Sequence, residues 1–135
     1  MINIKRVYES TARGDGQRIL VERLWPRGMK KADLHAEAWM KEVAPSTELR
    51  QWFGHKVARW AEFQQRYKQE LDANRDAWAP IRDASRRGTV TLLYSAHDIE
   101  HNSALVLRDY LTKQQTRRRA AGAATVRKPK TSRRQ

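Results

Sequence analysis

Thr89-Val90-Thr91-Leu92-Leu93-Tyr94 is a continuous β-favouring run, the pattern of a central strand covered on both faces. A second run, Arg18-Ile19-Leu20-Val21-Glu22-Arg23-Leu24-Trp25, is rich in branched residues and also reads as a buried strand. It places Ile19, Val21 and Arg23 on one face and Leu20, Glu22 and Leu24 on the other. Pro26-Arg27-Gly28 then breaks it, because proline cannot donate to a ladder and glycine permits a sharp turn. Upstream, Ile2 and Ile4 alternate with Asn3 and Lys5, which predicts a short strand over Ile2–Tyr8. The nine residues Glu9–Gln17 separate it from the next strand. That connection is shorter than a usual parallel crossover, so an antiparallel pairing of the first two strands is also open.

Between the second and last strands the apolar period becomes helical. Leu34, Ala38 and Trp39 predict a short helix ending before Pro45, since the residue before a proline avoids the α region. Ser46 supplies an N-cap for a helix carrying Leu49, Trp52 and Phe53, closed by Gly54. Trp60, Phe63, Tyr67 and Leu71 line one face of a longer helix. Asp76 is read as the cap of the next helix, with Pro80 in its first turn and Arg86-Arg87-Gly88 at its end. Asp98 or Asn102 caps a final helix with Ala104, Leu107 and Leu111 on its buried side. The order strand, strand, helices, strand, helix predicts a single layered α/β domain, residues 1–112, with a small, mostly parallel sheet flanked by helices.

The chain has 135 residues, 39% of them hydrophobic, enough for one domain with a core. It has no cysteine, which excludes thiol catalysis, disulfides and thiolate metal sites. No apolar run approaches the ~18 residues of a membrane-spanning helix, and Met1–Arg6 is not a signal peptide, so a bacterial-type cytoplasm is expected. The formal net charge of +13 is unevenly spread. Residues 1–112 carry 19 Lys+Arg against 15 acids, whereas residues 113–135 carry nine Lys+Arg and no acid. The second segment has Val126 as its only bulky aliphatic residue and is expected to be a disordered basic tail. Arg117, Arg118, Arg119, Arg127, Lys128, Lys130, Arg133 and Arg134 would make it an arm for nucleic acid or another polyanion.

Polar residues crowd the ends of the two buried strands, in Arg23–Lys30 and Tyr94–Asn102. Ligands of open α/β sheets bind outside the carboxyl ends of strands, where helix N-termini offer backbone N–H groups to anions. If these strands are neighbours, Arg23, Arg27 and Lys30 supply positive charge, Ser95 and Asn102 neutral hydrogen bonds, and Trp25 a stacking face. This predicts a site for a phosphate- or carboxylate-bearing small ligand. Ser95 and His97 are the catalytic candidates should the site turn a ligand over, His97 as a general acid or base near neutral pH. His97, Asp98 and His101 are a weak metal signal, outweighed by the use of Asp98 as a cap, and no metal or cofactor is expected. Two alternatives stand beside this reading: a nucleic-acid-associated protein acting through the basic tail, and an interaction module without a ligand in which Arg23–Gly28 is a packed corner.

Three segments, Arg18–Gly28, Ala44–Arg50 and Thr91–Ala96 through His101-Asn102, together resemble the YeaO-like family of small bacterial proteins, a domain of unknown function. The resemblance covers about residues 1–112 and includes Phe63, Tyr67, Glu70 and Leu71. It implies an α/β fold, a cytoplasmic bacterial protein and no settled activity. The motif positions are Arg23, Trp25, Pro26, Arg27 and Gly28, then Pro45 and Ser46, then Tyr94, Ser95, Ala96 and Asn102. Glu22 stands where relatives commonly have Asp, and His97 where they often have Lys. The basic tail lies outside the resemblance.

Overall fold

A computed structural model describes the backbone of residues 1–127 and the side chains of residues 1–115. Four strands, β1 (Ile2–Arg6), β2 (Gln17–Leu20), β3 (Ala38–Trp39) and β4 (Val90–Tyr94), form one sheet in the order β1-β4-β2-β3. Every pairing is parallel. The last strand in sequence is thus central, as its composition demands: all five of its residues are buried. It also separates β1 from β2, so the antiparallel pairing left open by the short connection does not occur.

One face of the sheet packs against helices α2 (Thr47–Phe53), α3 (Trp60–Asp72), α4 (Arg75–Arg87) and α5 (Ser103–Arg127). There Ile19, Val21, Val90 and Leu92 meet Leu49, Phe53, Phe63, Tyr67, Leu71, Ile81, Leu107 and Leu111 in one core. The other face carries a smaller core of Val7, Leu20, Leu34 and Leu93, covered by Trp25, Met29 and the short helix α1 (Lys31–Leu34).

Three local expectations change. Residues Ala38 and Trp39 form the edge strand β3 rather than a helix, and Trp39 is 38% exposed. The backbone of His35 at φ 55° ends α1 after one turn, and β3 then pairs with Ile19 and Leu20. The residue at the N-cap position of α4 is Asn74, not Asp76, which puts Pro80 in the second turn, on the exposed side. The second strand ends at Leu20, although the Val21 N–H still donates to Leu93 O at 3.3 Å. Other signals hold: Ser46 Oγ accepts from the Leu49 N–H at 3.1 Å, and Gly54 closes α2 in the left-handed region that a side chain enters only with strain.

The basic C-terminal segment begins on α5, which runs on through Arg127. The Gln115 amide donates to Ser85 Oγ, so residues 113–115 belong to the folded body. The side chains of Arg117, Arg118, Arg119 and Arg127, and all of residues 128–135, including Lys128, Lys130, Arg133 and Arg134, lie outside the described residues.

The smaller core holds a buried ionic cluster. Asp15 pairs with Arg18 and with Lys5, the latter at 2.9 Å, and its backbone oxygen accepts from Thr91 Oγ1 at 2.7 Å. Arg18 also donates to the carbonyls of Leu34 and His35 at 3.0 and 3.1 Å. Burial raises the Asp15 pKa, but bonds from Lys5, the Ala12 N–H and Arg18 outweigh it and hold the carboxyl below its ordinary value. The neighbouring Gly16 stands at φ 61°, and a Cβ there would lie 2.2 Å from Thr89 O, so the turn into β2 admits no side chain.

A depressed folded-state pKa contributes stability above the unfolded value and loses it as pH falls through the folded one. Asp15→Asn should therefore lower the unfolding free energy at pH 7 by about 3–5 kcal/mol, because Arg18 loses its buried counter-charge. Urea titrations should show the gap from wild type narrowing below about pH 4. A gap independent of pH would mean that shape, not charge, holds the cluster.

Candidate functional site

The carboxyl ends of β2 and β4 open into a cavity of about 770 Å³. Its lining includes Arg23, Trp25 and Arg27 from the loop after β2, and Ser95, His97 and Asn102 from the loop after β4. The two polar segments singled out in the sequence therefore meet. Of the six residues expected to contact a ligand, Lys30 is the one absent from this lining. The inner wall is apolar, formed by Val21, Phe53, Phe63 and Tyr94.

Several of these residues are occupied with holding the site together. Ser95 donates its hydroxyl to Glu22 Oε1 at 2.7 Å and its backbone N–H to Glu22 Oε2 at 3.0 Å. Arg23 reaches across to the second motif, donating from Nε to Pro45 O at 2.7 Å and from Nη2 to Ala44 O at 3.2 Å. Next to it, Glu70 of α3 accepts from the Ser46 N–H at 2.8 Å and the Ser46 hydroxyl at 2.6 Å. Asn102 is the N-cap of α5: its Oδ1 accepts from the Leu105 N–H at 2.9 Å, and its Nδ2 donates to Asp98 O at 3.0 Å. Both ends of this buried amide are thus satisfied within the protein.

Asp98 caps its own loop, accepting from the N–H groups of Glu100 and His101 at 2.9 and 3.1 Å and pairing with His101 Nδ1 at 2.9 Å. The Glu100 N–H does most to lower the Asp98 pKa. His97 Nδ1 lies 3.4 Å from Arg6 Nη2. His97 does not share a hydrogen bond with Ser95, and the serine hydroxyl faces a carboxylate rather than an imidazole.

The cations left for a ligand are Arg27, exposed and without a side-chain partner among the described residues, and Arg50, likewise exposed at the cavity wall. Arg23 adds its remaining Nη1 donors. His55, His97 and His101 complete a lining whose one carboxylate, Glu22, is already taken by Ser95. Burial raises the Tyr94 pKa, helped by Glu9 and opposed by Arg6, so its phenol stays neutral.

Sequence reasoning passed over Arg6, Arg50 and His55. Arg6 ends β1 and donates to Ala96 O at 2.9 Å and Ser95 O at 3.4 Å, bracing the loop after β4. Applying the strand-end rule to β1 would have found it. Arg50 and His55 reach the cavity through the placement of α2, which no local pattern encodes.

These features define a parallel α/β domain with a basic cavity at the carboxyl edge of its sheet. A family model described as the inactive DUF488-N3 subclade matches residues 1–130. "Uncharacterized protein YeaO" of Escherichia coli K12 is 46% identical over 110 residues, covering 82% of this chain and 96% of the relative. "Uncharacterized protein Rv3073c" of Mycobacterium tuberculosis H37Rv is 40% identical over 110 residues, covering 82% and 92%. The chain belongs to this YeaO-like family of unknown function. No solved structure matches it. Among the described residues no helix is long and apolar enough to cross a membrane.

The Glu22–Ser95 pair gives a direct test of how the site is held. Glu22→Ala should lower the unfolding free energy by about 2–3 kcal/mol, because it strands the Ser95 N–H and removes two hydrogen bonds to a charged group. Ser95→Ala should cost about 1 kcal/mol, since the backbone bond survives. Chemical denaturation reads both, and equal losses would contradict the bidentate clamp.

Proposed function

We propose that this domain binds a phosphate- or carboxylate-bearing small ligand in the cavity at the carboxyl ends of β2 and β4, and that it does so without turning the ligand over. The observation that carries the reading is the lining itself. Among the described residues it combines three arginines with a single carboxylate, and that carboxylate already accepts two hydrogen bonds from Ser95. Such a lining leaves an excess of unneutralised guanidinium groups, which pair readily with a multi-oxygen anion. The N-terminus of α5 adds favourable potential, because Asn102 and Ser103 at its start border the cavity.

Two observations favour binding over catalysis. A serine nucleophile needs a base within hydrogen-bond reach, and neither His97 nor His101 is bonded to Ser95. The family's own description as an inactive subclade points the same way.

Thermal-shift titration of the full chain with phosphate, sulfate and citrate tests the proposal. Saturating anion at 100 times its Kd should stabilise the fold by about 2.7 kcal/mol. Arg27→Ala should weaken binding at least tenfold while leaving the unliganded melting temperature near wild type, because the exposed Arg27 guanidinium supports no other residue. An unchanged response in Arg27→Ala and in Arg50→Ala would overturn the reading.

The basic C-terminal segment supports a second, separate reading as a nucleic-acid arm, on the strength of nine Lys+Arg and no acid in residues 113–135. Removing residues 117–135 keeps the Gln115–Ser85 contact and takes away eight of those charges. Binding to duplex DNA should then lose up to about 7 from its log–log salt slope. An unaltered slope would eliminate the arm.

A further inference from the structure

Resting on the anion-binding reading above, we infer that the ligand is a phosphate monoester carrying a flat ring, of the nucleoside monophosphate class. A cavity of about 770 Å³ is within the range of sites for whole organic ligands, roughly 300–1,000 Å³, and is far too large for a bare tetrahedral anion. Its cationic and other polar groups account for only part of the lining; Val21, Leu24, Trp25, Phe53 and Phe63 make up an apolar wall beside them. The complementary molecule is therefore amphipathic, charged at one end and apolar over most of its body.

Trp25 specifies the shape of that body. Its indole Nε1 donates to Met29 O at 2.6 Å, and its ring packs edge-on against Trp39 with centroids 5.3 Å apart and planes at 68°. These two contacts fix the ring while it still lines the cavity. A tryptophan so held, packed also on the smaller core, gives the cavity a preformed aromatic wall that costs little ordering on binding and favours flat π systems over sugars or aliphatic chains. Leu24 beside it is 62% exposed and offers further apolar area at the mouth.

The anionic end is a phosphate rather than a carboxylate because donors from more than one element line the same cavity. Arg23 and Arg27 come from the loop after β2, Arg50 from α2, and the first turn of α5 opens beside them. A planar carboxylate is satisfied by one guanidinium fork, whereas a tetrahedral dianion presents oxygens to several donors at once.

Isothermal titration of the full-length protein with adenosine 5′-monophosphate, ribose 5-phosphate, adenosine, 1-naphthoate and inorganic phosphate decides the matter. The expected result is adenosine 5′-monophosphate binding about tenfold or more tighter than each of the others, as one stacked base contributes. Trp25→Leu should bring it down to the level of ribose 5-phosphate without changing the latter, and Trp25→Tyr should retain most of the preference. Should Trp25→Leu fail to fold, the ratio on the wild-type protein and on Trp25→Tyr is sufficient. Equal binding of ribose 5-phosphate overturns the ring and leaves the anion site standing. Equal binding of 1-naphthoate or adenosine overturns the phosphate. Failure of every probe, inorganic phosphate included, removes the anion site and this inference together.

Discussion

The Glu22 carboxylate accepts both the hydroxyl and the backbone N–H of Ser95, and on that pair of bonds the whole carboxyl edge of the sheet depends. Parallel neighbours β2 and β4 leave their ladder at the same level, and each must turn away into a loop. The ladder itself supplies no bond that joins the two loops beyond Val21. The bidentate carboxylate closes that gap with charge-assisted bonds and consumes the one negative charge lining the cavity. A structural bond and an electrostatic consequence thus arise from the same side chain. The cavity is basic partly because its acid is occupied.

The motif residues form a chain of such ties. Glu22 holds Ser95, its neighbour Arg23 holds the carbonyls of Ala44 and Pro45, and Ser46 is held in turn by Glu70 of α3. Asn102 caps α5 and fastens it to Asp98. Arg6 braces the back of the same loop from β1. Most of the polar residues at this edge are thus scaffold, and the groups free to meet a ligand are the exposed Arg27 and Arg50 and the fixed ring of Trp25. Such a division suits a site whose geometry must be set before the ligand arrives, because preorganised donors lose little freedom on binding.

Much of this was legible in the sequence, and what was not has identifiable causes. The run Val90–Tyr94 announced a central strand through composition alone, and the Ser46 cap and Gly54 stop announced α2 through local chemistry. Convergence of Arg23–Arg27 with Ser95–Asn102 followed from one rule about strand ends. Leu34, Ala38 and Trp39 misled, because apolar spacings of four and five residues fit a helix turn as well as an α1–β3 bend, and only pairing with Ile19 and Leu20 decides between them. The partners of Ser95 and Arg23 were invisible for a related reason: they lie 73 and 22 residues away, and side-chain satisfaction across such distances is a property of topology. Residue types at strand ends signalled a site but did not separate groups that touch a ligand from groups that hold those groups still.

Topology also sets how α5 stands against the cavity. α5 starts beside the cavity at Ser103 and travels away from it, so that Gln115 meets Ser85 near the other end of the sheet, where the Met1 amino group also donates to Ser85 O at 3.3 Å. A 25-residue helix spans roughly 37 Å. Its first turn is the part that acts on the cavity, since the potential of a helix terminus falls off within that turn. The cavity's field is therefore set by Arg23, Arg27 and Arg50 against an occupied Glu22.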